Sequence, residues 1–219
     1  MARTRQLFVL VSQTQTGIAR MIRGVCRYPY NHVSVTLDPS LRRWYSFARY
    51  VQDAPLYGGL VSESPRRLCA PDGDILVRAY RVEIPEQTAA RLEGLLALAD
   101  DPSNGLIYNH FDALASVFGF RLALPRCYTC LSFACEILGQ QYITIEELCQ
   151  GLESRLFYEG PMSRLVELTA MEEEEDYFIP CGLISGTAKS AAQFGRLAFR
   201  TIHQGCTVYL SQLFRRTVH

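Results

Sequence analysis

The chain has almost no lysine: Lys189 stands alone among 22 Lys and Arg residues. That scarcity removes nearly every candidate for Schiff-base or other amine chemistry. Net charge is absent too, because the 22 basic residues face 22 acidic ones. No long-range field therefore draws nucleic acid to the molecule as a whole. No apolar run approaches the ~20 residues of a membrane span. The start, Met1 to Arg5, is basic and leads into Leu7 to Val11, but that run is too short for an export signal. Ser12 to Thr16 ends it without a small-residue cleavage site, so the expected location is cytoplasmic. Gly58-Gly59 lacks the strand, spacing and lysine of a phosphate loop. Cys127-x-x-Cys130 has no second Cys-x-x-Cys and no His-x-x-x-His to complete a four-ligand zinc site. A redox pair there would need the element order of a thioredoxin-like fold, which the chain lacks. No metal and no cofactor is expected. His110 and His203 lie in no carboxylate or cysteine pattern and read as ordinary core or surface histidines.

What remains is a chain of 219 residues, 48% hydrophobic, able to bury a core as one domain with an appendage. Its eight cysteines are irregularly spaced, and without an export signal they are expected to be reduced. Residues 6 to 12 read as a buried strand. Thr14 or Thr16 caps a helix over 17 to 26, with Ile18, Met21, Ile22 and Val25 in one stripe. Strand 32 to 37 follows; Asp38-Pro39-Ser40 turns it into a returning strand at 43 to 49. A short segment spans 60 to 63, and Asp72-Gly73 leads into a long strand, 74 to 84. Helical patterns cover about 86 to 99 and 109 to 119.

The most informative segment is Tyr128 to Gly139. With Thr129 as N-cap and Gly139 beyond the last turn, Cys130, Phe133, Ala134, Ile137 and Leu138 form one buried stripe headed by Cys130. A thiol there lies at the positive end of the helix dipole, where thiolate is favoured. Cys135 falls roughly 140° around the helix from it, and Cys127 precedes the first turn. Neither is as well placed to meet a strand residue. Far upstream, His32 on a strand could serve as the base of a thiol nucleophile. The plainer reading of His32 is a strand-end histidine facing water, since alternation sets it with Ser34 and Thr36 on the more polar face.

The ordered set Thr14-x-Thr16, Tyr30-Asn31-His32-Val33-Ser34, Leu37-Asp38, Tyr45-Ser46-Phe47-Ala48-Arg49, Gly58-Gly59-Leu60-Val61-x-Glu63 and Tyr128-Thr129-Cys130-x-Ser132-Phe133 resembles the circularly permuted branch of the NlpC-type papain-like cysteine hydrolases. That branch includes YiiX-like and lecithin:retinol acyltransferase-like proteins. The resemblance covers about residues 5 to 160. It implies an α+β fold in which a small antiparallel barrel or sheet packs on the cysteine helix, with Cys130 as nucleophile and His32 as base. It divides the chain into a catalytic domain, 1–170, and an extension, 171–219, containing an acidic loop and a basic amphipathic helix.

The third member of such a site is open. Ser46 holds the matching position on the next strand, but a hydroxyl offers the imidazolium no charge. Glu63 is the alternative orienter, and Ser46 then reads as strand filler. The oxyanion would be met by the Cys130 N–H, assisted by Tyr30 or Tyr128. The implied activity is hydrolysis or transfer of an acyl group from a small-molecule, lipid or peptide substrate through a Cys130 thioester. The reading of another class is a non-catalytic binding module on the same fold.

In the tail, a helical wheel over 188 to 203 gathers Lys189, Gln193, Arg196, Arg200 and His203 on one arc, with Ala191, Phe194, Ala198, Phe199 and Ile202 opposite. The ordinary expectation is that the apolar side packs on its own domain. The alternative is peripheral contact with an anionic membrane or a protein partner.

Overall fold

The computed structural model describes residues 3–14, 28–69, 73–166, 168 and 176–217. The helix expected over 17 to 26 and the acidic residues 172 to 175 lie outside that set. The run Leu7 to Val11 becomes strand β1, Thr4–Ser12, and its apolar residues are buried on both faces because the strand is central. It pairs antiparallel with β2 (His32–Thr36) on one side and β5 (Leu76–Pro85) on the other. β3 (Trp44–Arg49), β4 (Gly58–Glu63) and β8 (Leu156–Pro161) complete a six-stranded sheet in the order β4-β3-β2-β1-β5-β8.

The sheet is antiparallel and open: β4 and β8 are its two edges and do not pair with each other. The barrel expectation therefore gives way to a sheet with two edges. The strand starts two residues before the segment expected at 60 to 63, taking in Gly58 and Gly59. A Cβ on Gly59 would come within 2.5 Å of the Leu106 carbonyl, so the glycine permits close approach of the neighbouring segment.

One sheet face carries Leu7, Val9, Val11, Val33, Val35, Phe47 and Leu60 against the cysteine helix. The other buries Phe8, Leu10, Trp44, Val77 and Ala79 against α1 (Pro65–Cys69) and α6 (Met162–Leu165). Helix α2 (Glu86–Leu96) closes the first core through Ala89 and Leu92, ending three residues earlier than its pattern suggested.

A second, two-stranded sheet positions the site. β6 (Ile107–Tyr108) and β7 (Cys127–Tyr128) run parallel, with Tyr108 opposite Tyr128. Each leads straight into a capped helix. The Asn109 side chain accepts the Asp112 N–H to open α3 (His110–Val117), and Thr129 accepts the Ser132 N–H to open α4 (Cys130–Leu138). Parallel pairing thus sets two helix starts side by side. In α4 the Ser132 hydroxyl returns a bond from the Thr129 N–H, a reciprocal cap. Gly139 ends the helix at φ 64°, a left-handed conformation that glycine adopts without strain. Helix α5 (Ile145–Gly151) follows.

Two expectations about helix faces change. Cys135, placed off the stripe by the wheel, is buried, its thiol directed at the Tyr142 carbonyl at 3.8 Å, because the turn after α4 folds back over that side. The tail forms a longer helix than expected, α7 (Leu183–Thr217), and it docks by a mixed face beside its basic arc rather than by its apolar side. Gly186, Ser190, Gln193 and Leu197 are buried, while Phe194, Phe199 and Ile202 are exposed. The physical reason is the sheet edge. Gln193 spans both backbone groups of Gly58: its Oε1 accepts the Gly58 N–H at 3.1 Å and its Nε2 donates to the Gly58 carbonyl. Arg200 donates to the Gly105 carbonyl at 3.1 Å. Buried backbone groups must be paired, and these side chains do that where apolar ones could not.

Candidate active site

His32 opens β2 and is anchored from behind. The Asn31 N–H donates to the Ser12 carbonyl at 3.1 Å, and the Asn31 side chain clasps Thr14, accepting its N–H and hydroxyl at 2.9 Å each and donating to its carbonyl at 3.0 Å. From there the imidazole meets Glu63. His32 Nε2 lies 3.0 Å and 2.9 Å from the two carboxylate oxygens. The Ser34 hydroxyl donates to Glu63 Oε2 at 2.8 Å. All three side chains are buried.

A carboxylate only accepts, so the shared proton belongs to Nε2, and Nδ1 is the ring atom left for Cys130. Burial opposes charge on both members of the pair. Against that, the Glu63 charge and hydrogen bonding to Cys130 and Glu63 raise the His32 pKa above its ordinary value. The His32 charge and its hydrogen bond, aided by Arg67 and Ser46, hold Glu63 below the usual carboxylate range. The sum is a buried ion pair directed at a thiol. Pairing between β2 and β3 is confined to Val35 opposite Tyr45, so no ladder ties the strands together beside His32. His32 is the first residue of β2, and at that strand end its ring meets both Glu63 and Cys130 despite the polar alternation of the strand.

Cys130 is the first residue of α4 and is buried. The cap occupies the Ser132 amide with Thr129 Oγ1 and the Phe133 amide with the Thr129 carbonyl. The amides of Cys130 and Leu131 are the two of the first turn left without a partner among the described residues. They are available to an anion at the helix start.

A cleft of about 820 Å³, counting its open mouth, runs from Cys130 between the two helix starts. Tyr30, Asn31, Tyr108, Ala113, Val117 and Ile145 are among its walls. Asp112 and Arg121 brace it. Arg121 Nε and Nη2 each donate to the Asp112 carboxylate at 3.0 Å, Nη1 donates to the Tyr142 carbonyl at 2.7 Å, and the Leu122 N–H adds a bond at 2.7 Å. The fork thus ties α3 to the turn before α5.

The sequence residues distribute as follows. Cys130, His32 and Glu63 come together. Ser46 is fully buried beside Glu63, but its hydroxyl meets no partner in good hydrogen-bond geometry. Tyr30 lines the cleft, its hydroxyl donating to Glu159 at 3.3 Å. Tyr128 packs its ring 5.0 Å from Phe47 and faces that cluster rather than the cleft. Cys127 takes a contact from Arg200 Nη1 at 3.3 Å. Sequence reasoning missed Tyr108, whose pKa is raised by burial and by the charges of Cys130 and Asp112. It also missed the Asp112–Arg121 fork and the Asn31 clasp. The Asn31 clasp had a signal, since Thr14 and Asn31 both belong to the ordered set; the other two had none. Among the described residues no group of three or more His, Cys, Asp or Glu has metal-binding geometry. No family model, curated protein or solved structure matches the chain.

Proposed function

We propose that the chain is a thiol-dependent hydrolase or acyltransferase of the permuted papain-like kind, with Cys130 as nucleophile, His32 as base and Glu63 as the residue that orients and charges His32. The observation that carries this reading is the buried imidazole held by Glu63 through Nε2 and interacting with a thiol at a helix start. In the reaction, Cys130 attacks the substrate carbonyl carbon as the thiolate, its proton already held on Nδ1 of the His32 imidazolium. The tetrahedral oxyanion is met by the Cys130 and Leu131 amides, which are fixed before the substrate arrives. Collapse breaks the bond to the leaving group, which takes the proton from Nδ1, and a thioester remains. Water or an acceptor then gives its proton to the same nitrogen and releases the acyl group. Glu63 stays ionised throughout and stabilises the imidazolium, as the triad logic requires.

The test is intact-protein mass spectrometry after exposure to an activated acyl ester at neutral pH. One acyl adduct that maps to Cys130 and decays on adding an amine or water supports the reading. Equal labelling of several cysteines, or none, favours a binding module.

A further inference from the structure

The reversed docking of α7 leaves an apolar face outward. With Gly186, Ser190, Gln193 and Leu197 turned inward, the opposite side carries Ile184, Ala188, Ala191, Gly195, Phe199, Ile202 and Cys206, all exposed. A second apolar group lies on α3 and the segment after it: Leu114, Phe118 and Phe120. Ile184, Phe199, Ile202, Phe118 and Phe120 each expose between 66% and 87% of their surface. The two elements are neighbours, because the Phe111 and Phe194 rings meet edge-on at 5.4 Å and Gln204 Nε2 donates to the Ala123 carbonyl at 3.2 Å. Val117, immediately before Phe118, is part of the cleft wall. Bulky apolar side chains left in water on two adjoining elements mark an interaction surface.

Charge selects the occupant. No acidic residue follows Asp176, whereas Lys189, Arg196, Arg200, Arg215 and Arg216 do. Arg200 is spent on Gly105 and Cys127; Lys189 and Arg196 are exposed on the arc between the docked side and the apolar side, Lys189 with its ammonium 5.7 Å from the centroid of the Tyr57 ring. The basic flank has no acid of its own on α7, so a surface of anionic groups complements it. Among the described residues no helix is long and apolar enough to cross a membrane. A helix with Phe and Ile outward and basic residues at the boundary, whose stems lie along the apolar surface while their heads reach anionic headgroups, has the composition of an interfacial helix.

We propose that the face formed by the outer side of α7 with Phe118 and Phe120 lies on an anionic lipid surface, which sets the mouth of the Cys130 cleft at the bilayer boundary. This inference needs no catalysis and stands whether or not Cys130 is a nucleophile.

The full chain is tested by flotation with phosphatidylcholine vesicles, with and without phosphatidylserine, at low and moderate salt. Binding should require phosphatidylserine and weaken with salt. The pairs Phe199→Ser with Ile202→Ser, and Phe118→Ser with Phe120→Ser, should each lower it by about tenfold or more. All four side chains are exposed, so the melting temperature reports whether a variant has kept its fold. Lys189→Gln with Arg196→Gln gives a second test should a serine pair fail to fold, and should weaken binding to phosphatidylserine vesicles severalfold. Absence of vesicle binding by the wild type overturns the proposal, as does binding indifferent to phosphatidylserine or to the exposed residues. Concentration-dependent dimerisation lost in the Phe199→Ser, Ile202→Ser variant, with no vesicle binding, would assign the face to a second copy instead.

Discussion

The Ser34 hydroxyl and the His32 ring meet the same oxygen of Glu63, at 2.8 Å and 2.9 Å. Ser34 therefore fixes the carboxylate rather than the imidazole, and Glu63 in turn fixes the imidazole. The order of dependence within the site follows from that chain.

The ion pair should be visible as a pH dependence of stability. His32 is raised, so its contribution is complete below its ordinary value of 6.5 and is lost as pH rises through the higher folded value. Glu63 is depressed, so its contribution is complete above its ordinary value of 4.5 and is lost as pH falls through the lower folded value. Both are fully present between those ordinary values. In Glu63→Gln burial still lowers the His32 pKa but the raising charge of Glu63 is gone, so the fall of stability with rising pH above neutrality should be weaker than in the wild type. The loss near pH 6 should be about 1–3 kcal/mol. Urea unfolding of both proteins as a function of pH checks this; parallel profiles would mean that the pair is not coupled.

Cysteine substitutions should separate by position. Cys130→Ala abolishes acyl-enzyme formation. Cys135→Ala leaves acylation but lowers the melting temperature, because a buried side chain is shortened within the core. Cys127→Ala leaves most activity, since its contact with Arg200 lies on the α7 side. Intact mass and thermal unfolding of the three variants supply the readouts, and equal loss of acylation in Cys127→Ala would indicate a paired-thiol role.

Ser46 and Ser34 should behave differently despite their shared residue type. Ser34→Ala removes a donor from a buried carboxylate and should cost about 1–3 kcal/mol, with a shifted pH profile for thiol alkylation. Ser46→Ala removes a hydroxyl with no well-formed hydrogen bond and should change stability by under about 1 kcal/mol. Iodoacetamide rates against pH distinguish the two; a larger effect at Ser46 would make it the orienter.

Asp112→Ala should loosen the cleft while sparing the thiol and imidazole. It strands Arg121 and frees the Leu122 amide, a loss of roughly 3–5 kcal/mol for a broken buried pair. Hydrogen exchange should quicken in 118–124 and around Tyr142 before the sheet responds. Uniform protection would show that the fork does not hold the wall.

Local signals carried much of the architecture into the sequence. Thr129, Ser132 and Gly139 mark both ends of α4 by backbone chemistry that operates within a few residues, and Leu7 to Val11 reads as a buried strand because its apolar run is unbroken. The choice between Ser46 and Glu63 was not legible, because it depends on how far the Glu63 side chain reaches across neighbouring strands. Neither was the orientation of α7. A helical wheel ranks faces by hydropathy, whereas the docking of this helix is decided by Gln193 and Arg200 meeting backbone groups far away in the chain. The open sheet escaped for a similar reason, since strand patterns do not reveal whether edges meet.

The contact between Gln193 and Gly58 links residues 135 positions apart. On a ribosome, β4 is therefore made long before the residue that covers the Gly58 end of its outer edge, although Asp100 meets the Leu60 and Ser62 groups of that edge much sooner. Until residue 193 is made, the Gly58 end of that edge keeps its backbone groups open, competent to pair with a neighbouring nascent chain. Shortening the chain before residue 193 would make that interval permanent, so truncated products should accumulate in the insoluble fraction even though every strand of the sheet is intact.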